Sequence, residues 1–392
     1  RFKGRGSRVQ RKRAVTVATV GLAVAVLLCV ATWPAVKAHL QALCVLDSVS
    51  GQKAPWFASV VTTQVTTEDV TFEIHMPAGP RSVRARMYEP KGRPNAPGMV
   101  IFHGVHHLGI DEPRLMGFAR AMAACGIRVL TPELPGIKDY HVDEDSIATI
   151  GESVKWMAKR VGAPVGVMGL SFAGGLALVA AEDPVYAPAF KFVFAVGAQD
   201  SMARVTEYYR TGRDVRPDGT VETLAPHEYG PLVIEYEHLD DFVPPEDLAA
   251  VQAVMRAHLY EDKAAEAQAS LALNEAQKRE TQALMDATSA ETRLRIASVL
   301  VKYAAEVGRL SPGDRLKTLK VPVYLLHGEG DNVIPAAETL WMANDLPPTT
   351  LGAMLVSPVL SHVNLDGPSP GARDEWQLMH FFAEVMQAAE HP

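Results

Sequence analysis

Short apolar runs alternate with stretches of helical period along most of this chain, and that alternation restricts its fold more than any other feature. MVIF (Met99–Phe102), the run at Val129–Leu130, VGVM (Val165–Met168), FKFVFAV (Phe190–Val196), VPVYLL (Val321–Leu326) and AMLV (Ala353–Val356) read as buried strands, each too short for a helix and closed by a turn. Between them Leu115, Phe118, Ala119 and Met122 recur at helical spacing, as do Ile147, Ile150, Val154 and Met157, and finally Trp376, Met379, Phe382 and Val385. Strands joined through helices imply right-handed βαβ units. The spacing therefore predicts an α/β fold with a doubly wound, mostly parallel sheet covered on both faces.

The alternation stops after Asp200. Between Pro245 and Gly308 there is neither glycine nor proline, and apolar residues recur at Leu248, Val251, Met255 and Leu259. The chain is thus expected to form one α/β body from residues 65–200 and 311–392, interrupted by a helical cap at 201–310. The apolar face of that cap is expected to lie over the site.

Before residue 65 the reading divides into a basic segment (1–13), a transmembrane or signal-anchor helix (14–33) and a connector (34–64). Ala14 to Trp33 is uncharged, and at about 1.5 Å per residue it matches a hydrocarbon core of about 30 Å. The first thirteen residues hold seven Lys or Arg and no acid. Their charge should stay inside, so a single-pass anchor with an exported catalytic domain is expected, a membrane partner through this helix included. Cleavage near the small residues Val36 to Ala38, giving a secreted protein, is the alternative.

The formal net charge is −7, and with seven of 38 basic residues in the leader the remainder carries 31 against 45 acidic. Such a surface argues against nucleic acid as a partner. Cys29, Cys44 and Cys125 form no disulfide framework or metal knuckle, although a Cys44–Cys125 bridge is open outside the cytoplasm. His103, His106 and His107 are neighbours in one loop without a HExxH helix, so no metal is implied, and no cofactor motif is present.

The chemistry sits at strand ends. Gly169-Leu170-Ser171-Phe172-Ala173 follows the strand PVGVM and opens the helical stretch GGLALVAA, the strand-turn-helix setting that presents a serine as a nucleophile. Asp331 leaves a buried strand in HGEGDNVIP, and His362 leaves the next in VLSHVN. A serine hydroxyl needs an imidazole to take its proton and a carboxylate to orient that imidazole, and the order Ser171, Asp331, His362 supplies them. Asp240 and Asp241 in HLDDFVPP imitate the acid loop; they serve equally well as a cap for the helix that follows.

FHGV, GLSFAGG, HGEGDNVIP and SHVN together resemble the α/β-hydrolase superfamily, in its serine esterase/lipase-like or dienelactone-hydrolase-like members, over roughly Val65–Asp200 and Ser311 to the end. The resemblance implies Ser171 as nucleophile, His362 as general base and then acid, and Asp331 as its orienter. It also implies an oxyanion hole from the backbone N–H groups of Phe172 and Val105. Ala173 departs from the usual G-x-S-x-G pattern. Haloalkane and epoxide hydrolases share the fold but carry a carboxylate where Ser171 stands. The expected activity is cleavage of a small carboxylic ester through an acyl-serine without cofactor; a serine peptidase or amidase, and a non-catalytic binding protein of the same fold, are the alternatives.

Overall fold

The computed structural model describes residues 30–52, 55–76, 79–362, 365 and 371–390. Its centre is an eight-stranded sheet in the order β1-β2-β4-β3-β5-β6-β9-β10, formed by β1 (Val65–Met76), β2 (Gly79–Pro90), β3 (Gly98–Phe102), β4 (Arg128–Pro132), β5 (Val165–Leu170), β6 (Phe190–Val196), β9 (Val323–Gly328) and β10 (Leu351–Ser357). β1 pairs antiparallel with β2 and β2 antiparallel with β4, while every pairing from β4 to β10 is parallel. The central strands β3, β5 and β6 are buried almost throughout, as parallel strands covered on two faces must be.

Local sequence sets the helices that cover them. Glu112 caps α2 (Pro113–Ala124) by accepting from Leu115 N–H, with Pro113 in the first turn where its missing donor costs nothing. Asp143 caps α4 (Glu144–Val161), which ends on Gly162 in the left-handed region. The short α3 (Pro135–Lys138) precedes it, and α5 (Phe172–Glu182) follows β5 directly. One core lies on the face covered by α4 and α5, where Val154, Met157 and Leu176 pack on Val100, Val167 and Val193. The opposite core packs Leu115 and Met122 of α2, and Phe381, Phe382 and Met386 of α14 (Ala372–Glu390), on Met99, Ile101 and Phe194.

A helix at 30–49, α1, joins this second core through buried Ala38, Ala42, Cys44 and Val45. Helix runs past Trp33 and through Pro34 into residues expected as a connector. The membrane reading is corrected. No helix among the described residues is long and apolar enough to cross a membrane, so a single-pass anchor, its membrane contact and its orientation have no support in the fold. Residues 1–29 of the expected leader lie outside the described residues.

Between β6 and β9 the chain forms α6 (Met202–Thr211), a small hairpin of β7 (Arg213–Val215) and β8 (Val221–Thr223), then α7 (Tyr229–Glu237), α8 (Pro245–Leu259), α9 (Lys263–Leu271), α10 (Glu275–Met285), α11 (Ala290–Lys302) and α12 (Ala304–Arg309). The apolar face of α8 is spent on α7: Val251, Met255 and Leu259 are buried with Leu232, Val233 and Tyr236. α13 (Ala337–Asp345) then connects β9 to β10.

Candidate active site

Ser171 stands between β5 and α5 with φ 55° and ψ −135°, a conformation that costs a non-glycine residue on the order of 1–3 kcal/mol and is retained where the fold over-determines it. Its N–H donates to Val196 O at 2.8 Å, tying the turn to the end of β6. The turn is tight enough that a Cβ on Gly169 would lie 2.5 Å from Ala173 O, and one on Gly174 2.7 Å from the Ala198 side chain. The close approach thus falls at 169 and 174, and the methyl of Ala173 packs in the core.

His362 Nε2 lies 3.0 Å from Ser171 Oγ, and His362 Nδ1 lies 2.5 Å from Asp331 Oδ2. Since a carboxylate only accepts, Nδ1 carries the proton and Nε2 is left to accept from the serine hydroxyl. The other oxygen of Asp331 receives the N–H groups of Val333 and Ile334 at 2.9 and 3.0 Å. Burial alone would raise the Asp331 carboxyl, but the charge and hydrogen bonds of His362 and His327 outweigh it and hold it at about 2.

His327 escaped the sequence reading. It is fully buried at the end of β9, where Nε2–H donates to Ile334 O at 2.8 Å and Nδ1 accepts from the Thr339 hydroxyl at 2.7 Å. A histidine closing an otherwise apolar strand four residues before an acid was the available signal.

The loop after β3 faces the elbow. A Cβ on Gly104 would come 3.2 Å from Ser171 Cβ, which places the Gly104–Val105 backbone against the serine. Val105 N–H has no protein acceptor among the described residues, and Phe172 N–H is in the first turn of α5, where helical amides lack partners. His103, beneath them, accepts from Leu134 N–H through Nε2 at 3.0 Å and faces Gly104 O through Nδ1 at 2.9 Å; burial pushes it down to about 4, so it stays neutral. His106 lines the cavity, and His107 stacks between His106 and Tyr260 at 4.7 and 5.0 Å between ring centres.

Ser171 and His362 open into a cavity of about 220 Å³. Its roof takes Tyr140 from the body and Tyr229, Gly230 and Val233 from α7, whereas none of the four residues of the α8 face lines it. Tyr140 (φ 63°) donates to Leu259 O, and Tyr229 donates to Glu261 (φ 56°) at 2.7 Å. With Ser171 these are the non-glycine residues at positive φ among the described residues, so backbone strain gathers at the nucleophile turn and the roof.

The rival acids lie elsewhere. Asp241 pairs with Lys302 and accepts from Tyr303 at 3.1 Å, and α8 begins at Pro245 without a side-chain cap from either Asp240 or Asp241.

A serine, histidine and carboxylate in one hydrogen-bonded line at the carboxyl edge of such a sheet define the class, a serine hydrolase of the α/β-hydrolase kind. A family model described as X-Pro dipeptidyl-peptidase (S15 family) matches residues 139–363, more than half of the chain, and the protein belongs to that family. No curated protein sequence matches the chain. Solved structures to which the chain is similar include an esterase of Pyrobaculum calidifontis (16% identity, TM-score 0.45, covering 89% of this chain and 90% of that one). The esterase domain of a Rhodothermus marinus protein is similar at 14% identity and TM-score 0.43 (83% and 97% covered). A Pyrococcus horikoshii acylaminoacyl peptidase is similar at 13% identity and TM-score 0.43, with 84% of this chain and 42% of that one covered.

Proposed function

We propose that this serine hydrolase cleaves carboxylic esters through an acyl-serine intermediate. Ser171 Oγ attacks the ester carbonyl while His362 Nε2 takes its proton, and Asp331 stabilises the imidazolium that forms. The negative charge on the carbonyl oxygen is met by the N–H groups of Val105 and Phe172. The C–O bond to the alcohol then breaks and His362 returns the proton to the leaving oxygen. Water repeats the sequence, giving its proton to His362 and releasing the acid.

The observation that carries the ester reading is the state of charge in the cavity. Glu112 is the one carboxylate among the lining residues described, and it is already engaged by Arg114 Nε at 2.6 Å and Leu115 N–H at 2.7 Å. A substrate with a free ammonium would have to displace that pair, whereas a neutral ester does not.

The family match favours a second reading, a peptidase acting on X-Pro amides with the same three side chains. Steady-state kinetics on p-nitrophenyl esters and on X-Pro p-nitroanilides separate the two. The ester reading expects kcat/KM for the best ester to exceed that for the best dipeptide amide by far more than their difference in intrinsic reactivity, both activities vanishing in Ser171→Ala. Efficient amide cleavage with only incidental ester turnover would give the function to the peptidase.

A further inference from the structure

The cavity beside Ser171 has a wall that the resemblance to hydrolases did not foretell. Leu46 and Val49, in the last turns of α1, line it together with Leu115 and Phe118 of α2 and Phe382 of α14. Both α1 residues are half-buried, on the same helix face as the fully buried Ala42 and Val45. The helix is held in place by polar contacts to the far end of α14 and to the body. Lys37 Nζ lies 2.7 Å from the Glu390 carboxylate, and buried Gln41 donates to Glu390 at 2.8 Å and to Cys125 O at 2.7 Å. His39 Nε2 meets His380 Nδ1 at 3.0 Å. These contacts fix the register that brings Leu46 and Val49 to the cavity. None of this helix belongs to residues 139–363, so the wall is a property of this chain and not of the matched family stretch.

We infer that α1 completes the acyl-binding pocket: Leu46 and Val49 close an apolar slot leading from Ser171, and the group it accepts is a medium-length aliphatic acyl chain. The inference rests on the ester reading and names its substrate class. Five apolar side chains from three helices favour an uncharged hydrocarbon. At about 220 Å³ the cavity lies below the roughly 300–1,000 Å³ usual for pockets that enclose drug-sized ligands, which favours a short or medium chain over a long one.

Phosphonylation tests this without depending on natural turnover. The full chain is treated with p-nitrophenyl alkylphosphonates bearing methyl, hexyl or decyl on phosphorus. The leaving group stays constant, Ser171 Oγ bonds to phosphorus, and nitrophenolate leaves; rates are read by intact mass. In the wild-type protein the hexyl probe should react about tenfold faster than the methyl one. Val49→Phe, which fills the slot, should lower the hexyl-to-methyl ratio about tenfold, and Leu46→Ala, which enlarges it, should raise the decyl-to-hexyl ratio severalfold. Opposite shifts cannot come from misfolding, and Val36→Ala on the exposed side of α1 is expected to leave both ratios unchanged. If all three probes label Ser171 and neither cavity substitution moves a ratio, the pocket inference is overturned while the nucleophile stands. If no probe labels Ser171, the ester reading fails first and the inference with it.

Discussion

His327 Nε2 lies 3.3 Å from the same Asp331 oxygen that meets His362 Nδ1, so one buried carboxylate is held from two sides by imidazoles. Two backbone amides hold its other oxygen. Such a carboxylate cannot rotate, and the tautomer of His362 follows from it. Asp331→Asn is expected to lower kcat by about 10⁴-fold at neutral pH, the scale for losing tautomer control in a triad. Asp241→Asn, which disturbs only the exposed Lys302 and the Tyr303 hydroxyl, should change kcat by less than about twofold. Equal losses in the two variants would detach the acid role from Asp331.

Ser171→Ala should reduce ester turnover by about 10⁴-fold or more, with a melting temperature close to that of the parent. Only a hydroxyl is removed, and the backbone turn is held by Gly169, Gly174 and the Val196 carbonyl rather than by the side chain. Turnover near the wild-type level would remove the serine from the mechanism.

His103 supplies a pH-dependent term in stability. Its ring is held near 4 by burial, below the value of about 6.5 in an unfolded chain, so the unfolded state takes the proton first as pH falls. The contribution is therefore intact above about pH 6.5 and is lost on descending toward 4, on the order of 3 kcal/mol across that window. His103→Gln keeps an acceptor for Leu134 N–H without titrating. Chemical denaturation at a series of pH values should show a shallower acid decline in that variant, and parallel curves would refute the assignment.

The α8 face is expected to matter for stability more than for selectivity. Val251→Ala removes two methyl groups from a fully buried site packed on α7, a loss of about 1–3 kcal/mol by urea unfolding. Its ratio of hexanoate to acetate ester hydrolysis should match that of the parent, because Val251 packs on α7 and does not line the cavity. A changed ratio would return the selectivity role to α8.

These placements show where sequence was legible. Ser171, Asp331 and His362 could be read because each follows an apolar run whose turn exposes one polar side chain at the strand end. The periodic residues of α2 are buried as spaced, as are Ile150, Val154 and Met157 of α4, with Ile147 half-buried at the edge of the stripe. A stripe says that a face is covered, not by what, and so α8 was expected over the cavity when it covers α7. The helix α1 was hidden by Pro34, which usually ends a helix, and by a buried face of Ala38, Gln41, Ala42, Cys44 and Val45 with little hydrophobic contrast. The same low contrast left Leu46 and Val49 looking like connector residues. Ala173 departs from the usual motif without a clash, its methyl packing in the core while tight approaches fall at Gly169 and Gly174.

The central claim is that an acyl group passes through Ser171. Rapid quenching of the protein with excess p-nitrophenyl hexanoate into acid, followed by peptide mass spectrometry, tests it most directly. The account predicts a hexanoyl adduct on the peptide containing Ser171, formed with a burst of nitrophenol and absent from Ser171→Ala. An adduct on another residue, or ester turnover persisting in Ser171→Ala, would contradict it.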